Sequence, residues 1–372
     1  MLTTKTYHYC LLLMLLFHVA CLSSSEDEIK NQYGLMMVPH YYNPRVYDCK
    51  MLPGKPLIDG KINREEWDDI NWSESFVSMV DAESPGSSYT TKFKLAYADD
   101  SLFFCAEVHD DHIWSTKDLC ESYFFEDNFL ELAIDCNNDE FDYLTIKFNA
   151  QGNCCAEYCN VKSSEPQSKF SLIQDNQVRC AVHINGTLNN PEDSDKFWSV
   201  EAAIPLNLKL NEIHLLRPSS IWKINVCRTR WTSTVVSGIY KKMINSQTGK
   251  KYPGEEWVWS PMAGYPVNMV ELWGECHFGS DDMTYALKQQ INHQREIKWE
   301  LRNVYYAQHI HFNKHKRYAK KVAGLKDIGF DLSALIYKPD IKSSKKGFTI
   351  EIKDPQTHKQ WRIDDEGRIS SE

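Results

Sequence analysis

The amino-acid sequence predicts a mostly β protein, with many short strands forming a sandwich or barrel and a helical region at the C-terminal end. Short apolar segments separated by polar turns recur from about residue 51 to residue 278, which is typical of these β architectures. The pattern then changes, because residues 281–323 contain neither Gly nor Pro. Aromatic residues make up 12% of the chain, enough to build a core, which excludes a wholly disordered protein.

The strand predictions follow from local patterns of apolar residues. Residues 93–98 and 101–108 flank Asp99-Asp100, and this arrangement predicts a β-hairpin. Pro205 is expected to end the strand that begins at Trp198, because proline cannot donate a ladder hydrogen bond. The other predicted strands are residues 129–134, 143–149, 198–204, 221–228 and 270–277.

The C-terminal region is predicted to contain a long helix, or two abutting helices, ending near Gly324. Ser280 can cap it, and Asp281 and Asp282 would lie in its first turn, where the helix dipole favours negative charge. Large residues recur mostly at the spacing of one helix face: Leu287, Ile291, Leu301, Val304, Tyr305, Gln308 and Phe312. Residues 348–352 and 360–363 predict a small terminal hairpin.

The N-terminal segment predicts a secretory signal peptide. Lys5 precedes an apolar run from Cys10 to Ala20 that only His18 interrupts, and small residues follow it. A bacterial lipoprotein signal ending at Cys21 is the alternative, but His18 stands where an aliphatic residue is expected. The predicted organisation of this secreted protein is a signal peptide (1–23), a lead-in segment (24–50), a β-strand domain (51–280) and a helical C-terminal region with a terminal hairpin (281–372).

The cysteine count and two glycosylation sequons fit that compartment. Of 12 cysteines, Cys10 and Cys21 are expected to leave with the signal peptide, and the remaining 10 allow up to five disulfides. Asn71 and Asn185 begin acceptor motifs for N-linked glycans. The cluster of cysteines at positions 154, 155 and 159 is an alternative metal site, but no partner pair follows at zinc-like spacing, so disulfides are favoured.

The charge distribution argues against nucleic acid as the main partner. The chain carries 42 Lys and Arg against 51 Asp and Glu, a net charge of −9. Residues 281–372 hold 18 basic and 13 acidic residues, so their net +5 leaves −14 on residues 1–280. Phosphate binding needs a basic surface on the working domain. The basic C-terminal helix is expected to pack on the acidic domain through salt-sensitive contacts or to bind a protein partner. The mean hydropathy of −0.50 argues against a multi-span membrane protein, and the N-terminal apolar run is too short to span a bilayer, so no stable membrane span is expected.

Common catalytic signatures are missing from the sequence. It has no Gly-x-Ser-x-Gly elbow, Walker loop, His-Glu-x-x-His motif or Gly-x-Gly-x-x-Gly loop. A glycosidase needs two carboxyl groups that face one glycosidic bond. Candidates for this pair are Glu126, Asp127 and Glu131. Nothing in the sequence places two of them across a cleft, so a structural or ligand-bonding role is favoured.

Tryptophans are candidate sugar-stacking residues, because a flat aromatic ring packs against the apolar face of a sugar. Trp257 and Trp259 lie one residue apart in a loop bounded by prolines and would face the same side in a strand. Trp114 also lies in a polar loop. Core positions are predicted for the tryptophans in or beside apolar runs: Trp67, Trp72, Trp198, Trp222 and Trp273.

Several short blocks occur in an order typical of one family. They are PLIDGKINREEW (56–67), KLAYADDSLFFCAEVHD (94–110), EDNFLELAID (126–135), FNAQG (148–152), WSVEAAIP (198–205), WKINVCR (222–228) and WSP (259–261). Over residues 51–278 the chain therefore resembles a family 9 carbohydrate-binding module. The resemblance implies an immunoglobulin-like β-sandwich that binds a poly- or oligosaccharide in an aromatic-lined slot and is not catalytic by itself.

The resemblance also implies which residues form the slot, where two tryptophans enclose the sugar and polar side chains bond its hydroxyl groups. The implied carbohydrate-binding residues are Phe125, Glu131, Lys147, Asn149 and either Trp257 or Trp259 as the second tryptophan. Glu131 and Asn149 match the family pattern, whereas Phe125 replaces the first tryptophan. Lys147 stands in place of an arginine and Cys227 in place of a glutamine. Exchange of arginine for lysine removes a bidentate donor, so affinity or specificity is expected to differ.

Calcium is the one cofactor that the resemblance suggests, since some members of the family bind it. Asp135, Asn137 and Asp139 begin a calcium-type loop, but positions 140 and 146 lack the EF-hand glycine and glutamate. A calcium site of another type around Asp135, Asp139 and Asp142 stays open, with a solvated acidic turn as the favoured alternative.

The predicted C-terminal helix also carries a histidine pattern. His311 and His315 lie one helical turn apart with His309 nearby, and histidines at this spacing can bind a metal ion. No acidic third ligand is adjacent to them in the sequence, so an exposed histidine face is the favoured interpretation.

Three functional classes are consistent with these patterns. The first is a secreted, non-catalytic carbohydrate-binding protein. The second is a secreted adhesion or interaction glycoprotein that kept the fold without sugar binding, which the replacements at positions 125, 147 and 227 favour. The third is a glycoside hydrolase or its accessory subunit, an inference from family association that the fold alone does not support.

Overall fold

The computed structural model describes most of the chain after the predicted signal peptide. The described residues are 44–62, 64–79, 89–116, 127–160, 169–173, 177–210, 213–214, 221–262, 267–279 and 285–372. No helix in these stretches has the length and apolar character needed to cross a membrane.

The described residues form mainly β-strands, as the sequence predicts. The strands are β1 (Val46–Met51), β2 (Val77–Ser78), β3 (Thr91–Ala98), β4 (Ser101–His109), β5 (Phe129–Asp135), β6 (Asp142–Phe148), β7 (Cys154–Asn160), β8 (Lys169–Leu172), β9 (Arg179–Asn185), β10 (Phe197–Pro205), β11 (Lys209–Leu210), β12 (Ile213–His214), β13 (Ile221–Arg230), β14 (Ser233–Val236), β15 (Ile239–Lys242), β16 (Glu255–Val258), β17 (Gly274–Phe278), β18 (Asp340–Ser343), β19 (Phe348–Lys353), β20 (Gln360–Asp364) and β21 (Ile369–Ser371). The helices are α1 (Arg64–Trp67), α2 (Tyr285–His315) and 3₁₀ turns at Val270–Leu272, Val322–Ile328 and Leu332–Ala334.

The β-domain is one nearly closed sheet that folds into two layers. The first layer has the strand order β8-β7-β6-β5-β13-β17-β1, and the second has the order β1-β3-β4-β10-β9. Strand β1 belongs to both, because Val46 to Cys49 pair with β17 while Lys50 and Met51 pair with β3. Strand β16 pairs with β13 and extends the first layer to β2.

The core lies between the layers and is rich in aromatic side chains. Phe104 of β4 stacks on Phe93 of β3 at 5.9 Å and on Phe148 of β6 at 5.6 Å between ring centroids, so the two layers meet through these rings. Alternate residues of each strand face this core, and the intervening ones face outward. Glu131 and Lys147, which are candidate carbohydrate-binding residues, are among the outward-facing side chains.

The structure differs from the sequence predictions at several places in the β-domain, and β7, β9, β14, β15 and β16 are among the strands that were not predicted. Strand β1 begins at Val46, within the predicted lead-in segment, because it pairs in parallel with β17. The strand predicted at residues 270–277 begins only at Gly274, since Val270–Leu272 forms a 3₁₀ turn. A side chain at Gly274 would overlap the Trp259 ring at 2.3 Å, so this close approach requires glycine.

The C-terminal region has a core of its own. Helix α2 packs on a four-stranded antiparallel sheet of order β18-β19-β20-β21, and the predicted hairpin forms its β19–β20 pair. Leu301 and Val304 of α2 are fully buried in this core with Ile350 and Ile363. The helix ends at His315 rather than near Gly324, because Lys316 adopts a left-handed conformation with φ of 55°.

Helix α2 also contacts the outer face of the first layer through charged groups. Arg302 pairs with Glu140 at 3.2 Å, and Arg295 pairs with Glu275 at 2.7 Å. The Lys298 ammonium donates to the Asn138 carbonyl in the β5–β6 turn. The basic helix thus packs against acidic groups of the β-domain.

Candidate functional site

The candidate sugar site begins with a charged cluster on the outer face of the first layer. Glu131 on β5 is the direct cross-strand neighbour of Lys147 on β6, and their charged groups lie 4.0 Å apart. Glu157 of β7 also binds the Lys147 ammonium. Glu131 and Glu157 are each 14% exposed, whereas the Lys147 side chain is 4% exposed. Two carboxylates therefore flank one nearly buried ammonium group.

Burial and neighbouring charges set the protonation of this cluster. Burial disfavours the charge on Lys147, but Glu131 and Glu157 outweigh it and raise the pKa of the ammonium above its ordinary value. Burial raises the pKa of Glu131, and Lys147 opposes this shift. The cluster keeps a cationic donor beside carboxylate acceptors, which is suitable chemistry for hydroxyl groups.

The other polar positions of the predicted slot are less accessible. Asn149 is fully buried, and its Oδ1 accepts a hydrogen bond from the Asn153 backbone, so it holds the turn after β6. Cys227 of β13 is the cross-strand neighbour of Glu131 on β5, at a position where the family resemblance implies glutamine. Burial raises the pKa of the Cys227 thiol well above its ordinary value, which keeps it neutral.

The two candidate tryptophans face away from the Glu131 cluster. Trp257 lies opposite Arg228 and packs against the core between the layers, while its neighbour Val258 lies opposite Cys227 on the outer face. Trp259 is fully buried, and its indole N–H donates to Glu74 at 2.9 Å. Neither ring is brought to the Glu131 cluster in this structure, and Phe125 lies outside the described residues.

The three carboxylates proposed for calcium are used by the protein itself. Asp135 accepts backbone hydrogen bonds from Asn138 and Glu140 at 2.8 and 3.0 Å. Asp139 binds Arg368 at 2.6 Å, and Asp142 lies 3.4 Å from the same guanidinium group. In the described part of the chain, the one group of metal-type ligands whose atoms converge is elsewhere. The acidic turn is thus stabilised by N–H donors and Arg368.

The carboxylates considered for glycosidase chemistry are not brought together either. Asp127 is fully buried and accepts hydrogen bonds from the Ser115 hydroxyl at 2.7 Å and the Thr116 backbone at 2.9 Å. Those contacts give it a structural role in the loop. Glu126 lies outside the described residues, and Glu131 lies on the outer face of the first layer with 14% of its side chain exposed.

A second polar and aromatic site lies on the outer face of the second layer. Trp72 is 38% exposed there, although the sequence predicts it in the core. Its ring borders a groove of about 400 Å³, and the Lys94 ammonium lies 4.9 Å from the ring centroid. Glu107 and His109 of β4 also line the groove and contact each other at 2.7 Å. Sequence reasoning missed this site because Trp72 adjoins Ser73, which is buried, and so resembles a core position.

The remaining tryptophans with core predictions are buried in the structure: Trp67, Trp198, Trp222 and Trp273. Trp114, which lies in a predicted polar loop, is also buried. Burial of Trp67 has a specific cause, because its indole N–H donates to the buried Glu201 carboxylate at 2.9 Å.

The glycosylation and disulfide predictions depend on exposure and distance. Both sequon asparagines, Asn71 and Asn185, are exposed. No disulfide joins the described cysteines. Two pairs of thiols are nevertheless close neighbours, Cys154 with Cys180 and Cys49 with Cys276.

The comparison with known families agrees with this geometry. Residues 58–216 match the family described as carbohydrate family 9 binding domain-like. Over this stretch the chain is similar in sequence to that family. No curated protein is similar enough in sequence to match the chain.

Three of the solved structures that match the chain have low sequence identity to it. A Bacteroides uniformis protein is 13% identical, with a TM-score of 0.44 over 63% of this chain and 100% of that chain. A family 9 carbohydrate-binding module from Caldicellulosiruptor kristjanssonii in complex with cellotriose is 15% identical, with a TM-score of 0.33 over 64% of this chain and 98% of that chain. The module from the same organism in complex with glucose is 16% identical, with a TM-score of 0.32 over 64% of this chain and 99% of that chain.

Proposed function

We propose that the protein is a secreted carbohydrate-binding protein, not catalytic by itself, that recognises a poly- or oligosaccharide around Glu131. One observation carries the proposal. The segment that matches the family model includes Glu131, the position that the resemblance assigns to a sugar-bonding residue, and this side chain lies on an outer face beside Lys147. Secretion is supported by the N-terminal apolar segment and by the exposure of both sequon asparagines.

The charged cluster supplies the hydrogen bonds that a sugar needs. Glu131 is partly exposed and can accept from two neighbouring hydroxyl groups, while Glu157 holds the Lys147 ammonium in place as a donor. Because the lysine is already fixed by the protein, little side-chain entropy is lost when a sugar binds. Hydrogen bonds to ionised groups are stronger than those between neutral groups.

The groove beside Trp72 is an alternative position for the sugar within the same function. It combines a partly exposed tryptophan ring with the side chains of Lys92, Lys94, Glu107 and His109. Ring stacking and polar groups at its edge are the two elements of sugar recognition. The described residues around Glu131 provide the polar groups but no exposed tryptophan.

A protein-interaction role without sugar binding is the second candidate function. It is favoured by the Lys147 ammonium, which already has two carboxylate partners, and by the neutral Cys227 thiol in place of glutamine. Both features reduce the hydrogen bonds that the slot offers to hydroxyl groups.

The test is a binding measurement on the full chain secreted from a eukaryotic host. A glycan array that includes cellotriose and glucose, run with calcium and then with EDTA, identifies the ligand class, and calorimetry measures its affinity. We expect Glu131→Ala to abolish binding and leave the fold intact, since Lys147 keeps Glu157 as its partner. Glu255→Ala, which changes an exposed acid of β16, is the matched control and should bind normally.

The variants also distinguish the alternatives. Normal binding by Glu131→Ala together with loss in Trp72→Ala would place the sugar in the second-layer groove. A blank array from folded protein would instead support the interaction glycoprotein. Release of reducing sugar by the purified protein would support a glycoside hydrolase and contradict the non-catalytic proposal.

A further inference from the structure

Two histidines and one aspartate converge where helix α2 ends. His311 and His315 lie four residues apart on α2, and Asp327 lies in the 3₁₀ turn Val322–Ile328. His315 Nε2 is 2.8 Å from Asp327 Oδ2, and His311 Nε2 is 4.0 Å from Asp327 Oδ1. One ligand atom from each residue can be chosen so that all three lie within 4.8 Å of one another. The acidic third ligand that is missing from the adjacent sequence is thus supplied by the fold.

The hydrogen bond that His311 makes through Nδ1 leaves its Nε2 atom available to bind a metal ion. His311 Nδ1 lies 2.8 Å from the Arg317 carbonyl oxygen. A carbonyl only accepts, so Nδ1 carries a proton, and in the neutral imidazole Nε2 then presents a lone pair toward His315 and Asp327. Metal-binding histidines commonly donate their second ring N–H to such an acceptor, which fixes the tautomer and orients the ring.

His315 differs from His311 because its Nε2 atom lacks a hydrogen-bond partner among the described residues. Its Nε2 atom is buried, and the short contact with Asp327 does not have the angles of a hydrogen bond. Within the described residues this atom has no other hydrogen-bond partner. A buried polar atom without a hydrogen bond is costly, and a metal ion between His315 and Asp327 would remove that cost.

The surrounding backbone holds the three residues in place. Gln308 is fully buried and exchanges two hydrogen bonds with the Ala319 backbone, at 2.9 and 2.8 Å, which fixes the chain after α2. The Lys314 ammonium donates to the Asp327 carbonyl at 2.6 Å. The site therefore lies on a fixed connection between α2 and the 3₁₀ turn.

We propose that His311, His315 and Asp327 bind one Zn²⁺ ion or a similar late transition-metal ion. Tetrahedral zinc places ligand atoms about 3.3 Å apart, and the two histidine–aspartate separations of 2.8 and 4.0 Å bracket that value. Two imidazole nitrogens and one carboxylate suit zinc, whereas Ca²⁺ and Mg²⁺ prefer oxygen ligands. Asp327 is 49% exposed, so water can reach the fourth position.

The test uses the metal-free full chain, titrated with Co²⁺ as a spectroscopic probe and then with Zn²⁺. We expect one Co²⁺ per chain, visible absorption without a thiolate-to-cobalt band, displacement by Zn²⁺ and no displacement by Ca²⁺. His315→Ala and Asp327→Asn should each weaken Co²⁺ binding by at least about 10- to 100-fold. Removal of only an outer hydrogen-bond partner of a metal ligand already causes a loss of that size, and these variants change a ligand itself. Zn²⁺ should also raise the unfolding temperature of the unmodified chain and not that of Asp327→Asn.

His358→Asn is the matched control, because it removes an exposed histidine from the same region of the chain. It should bind Co²⁺ as the unmodified chain does. The far-UV circular dichroism of each variant verifies that α2 is retained. Absence of Co²⁺ binding, a thiolate-to-cobalt band, or equal binding by His315→Ala and Asp327→Asn would overturn the proposal.

Discussion

The core of the β-domain and its interface with the C-terminal region are built from opposite chemistry. In the core, Phe93, Phe104 and Phe148 stack across the two layers and are fully buried. At the interface, the groups buried between the β-domain and α2 include Glu140, Glu271 and Arg302. Apolar packing is non-directional and independent of pH, whereas buried charges depend on every partner and on protonation.

The two regions therefore tolerate different substitutions. Core rings lose packing energy in proportion to the volume removed. A buried ion network contributes little net stability when it is complete, yet it is costly when one partner is missing. Changes in the core should therefore weaken the β-domain itself, and changes at the interface should release α2 while leaving the two layers intact.

The largest effect is expected from truncating the core. Phe104→Ala removes a ring that contacts both layers and should lower the free energy of unfolding by about 3–5 kcal/mol. Denaturant unfolding of the full chain, followed by tryptophan fluorescence, measures this loss. Phe104→Leu keeps most of the volume and should cost only about 1 kcal/mol. Equal losses in the two variants would show that the ring contacts are not the source of stability.

The next effect concerns the charged interface. Arg302→Met keeps the apolar stem of the side chain and removes its charge, so Glu140 and Glu271 lose this cation. We expect the substitution to weaken the docking of α2 on the β-domain by about 3 kcal/mol. Hydrogen exchange of the full chain should increase in residues 288–315 and stay unchanged in β3 and β4. Lys320→Met, at an exposed position, is the control. Increased exchange throughout both layers would contradict a separate interface.

The interface should also respond to pH in a defined window. Burial alone would raise the pKa of Glu140, but Lys223, Lys298 and Arg302 lower it from 4.5 to about 2. Its stabilisation is therefore present above pH 4.5 and is lost as the pH falls toward 2. Burial, helped by Asp139, raises the pKa of Asp135 from 3.8 to about 7, so its contribution is lost as the pH rises toward 7.

The combined result is a maximum of α2 protection between these two limits. Hydrogen exchange of residues 288–315, corrected for the intrinsic rate at each pH, should be slowest near pH 4 to 5 and faster on both sides. Glu140→Gln should remove the acid limb and Asp135→Asn the neutral limb. A flat profile in the unmodified chain would argue that these carboxylates do not govern docking.

The sequence predicted the elements of the fold more completely than their assembly. Local apolar patterns located β3, β4, β5, β6, β10, β13 and part of β17, and the hairpin at Asp99-Asp100 and the strand end at Pro205 are confirmed. The end of α2 was wrong, because a left-handed Lys316 is not distinguishable from a helical lysine by residue type. Strand β1 was missed as well, since its parallel pairing with a strand over 200 residues away leaves no local pattern.

The candidate site shows the same limit. Glu131 and Lys147 are cross-strand neighbours, which strand register makes predictable once both strands are located. The orientation of Trp257 and Trp259 was not predictable, because it depends on the pairing of β16 with β13. Asp327 was missed beside His311 because the turn after α2 brings it back from 16 residues along the chain.

The smallest effect is expected from the cysteine pair in the β-domain. Cys154 and Cys180 are in contact, and with glutathione disulfide we expect them to form one disulfide. Cys154 attacks one glutathione sulfur, Cys180 then displaces the other, and two reduced glutathiones are released. The gain should be about 2 kcal/mol, at the lower end of the usual range, because the thiols give up hydrogen bonds to the Val178 and Gly152 carbonyls.

Peptide mapping under non-reducing conditions should identify the Cys154–Cys180 link, which Cys180→Ser removes. A stabilised β-domain with unchanged exchange in residues 288–315 would confirm that core and interface are energetically separate, whereas equal protection of both would show that they are coupled.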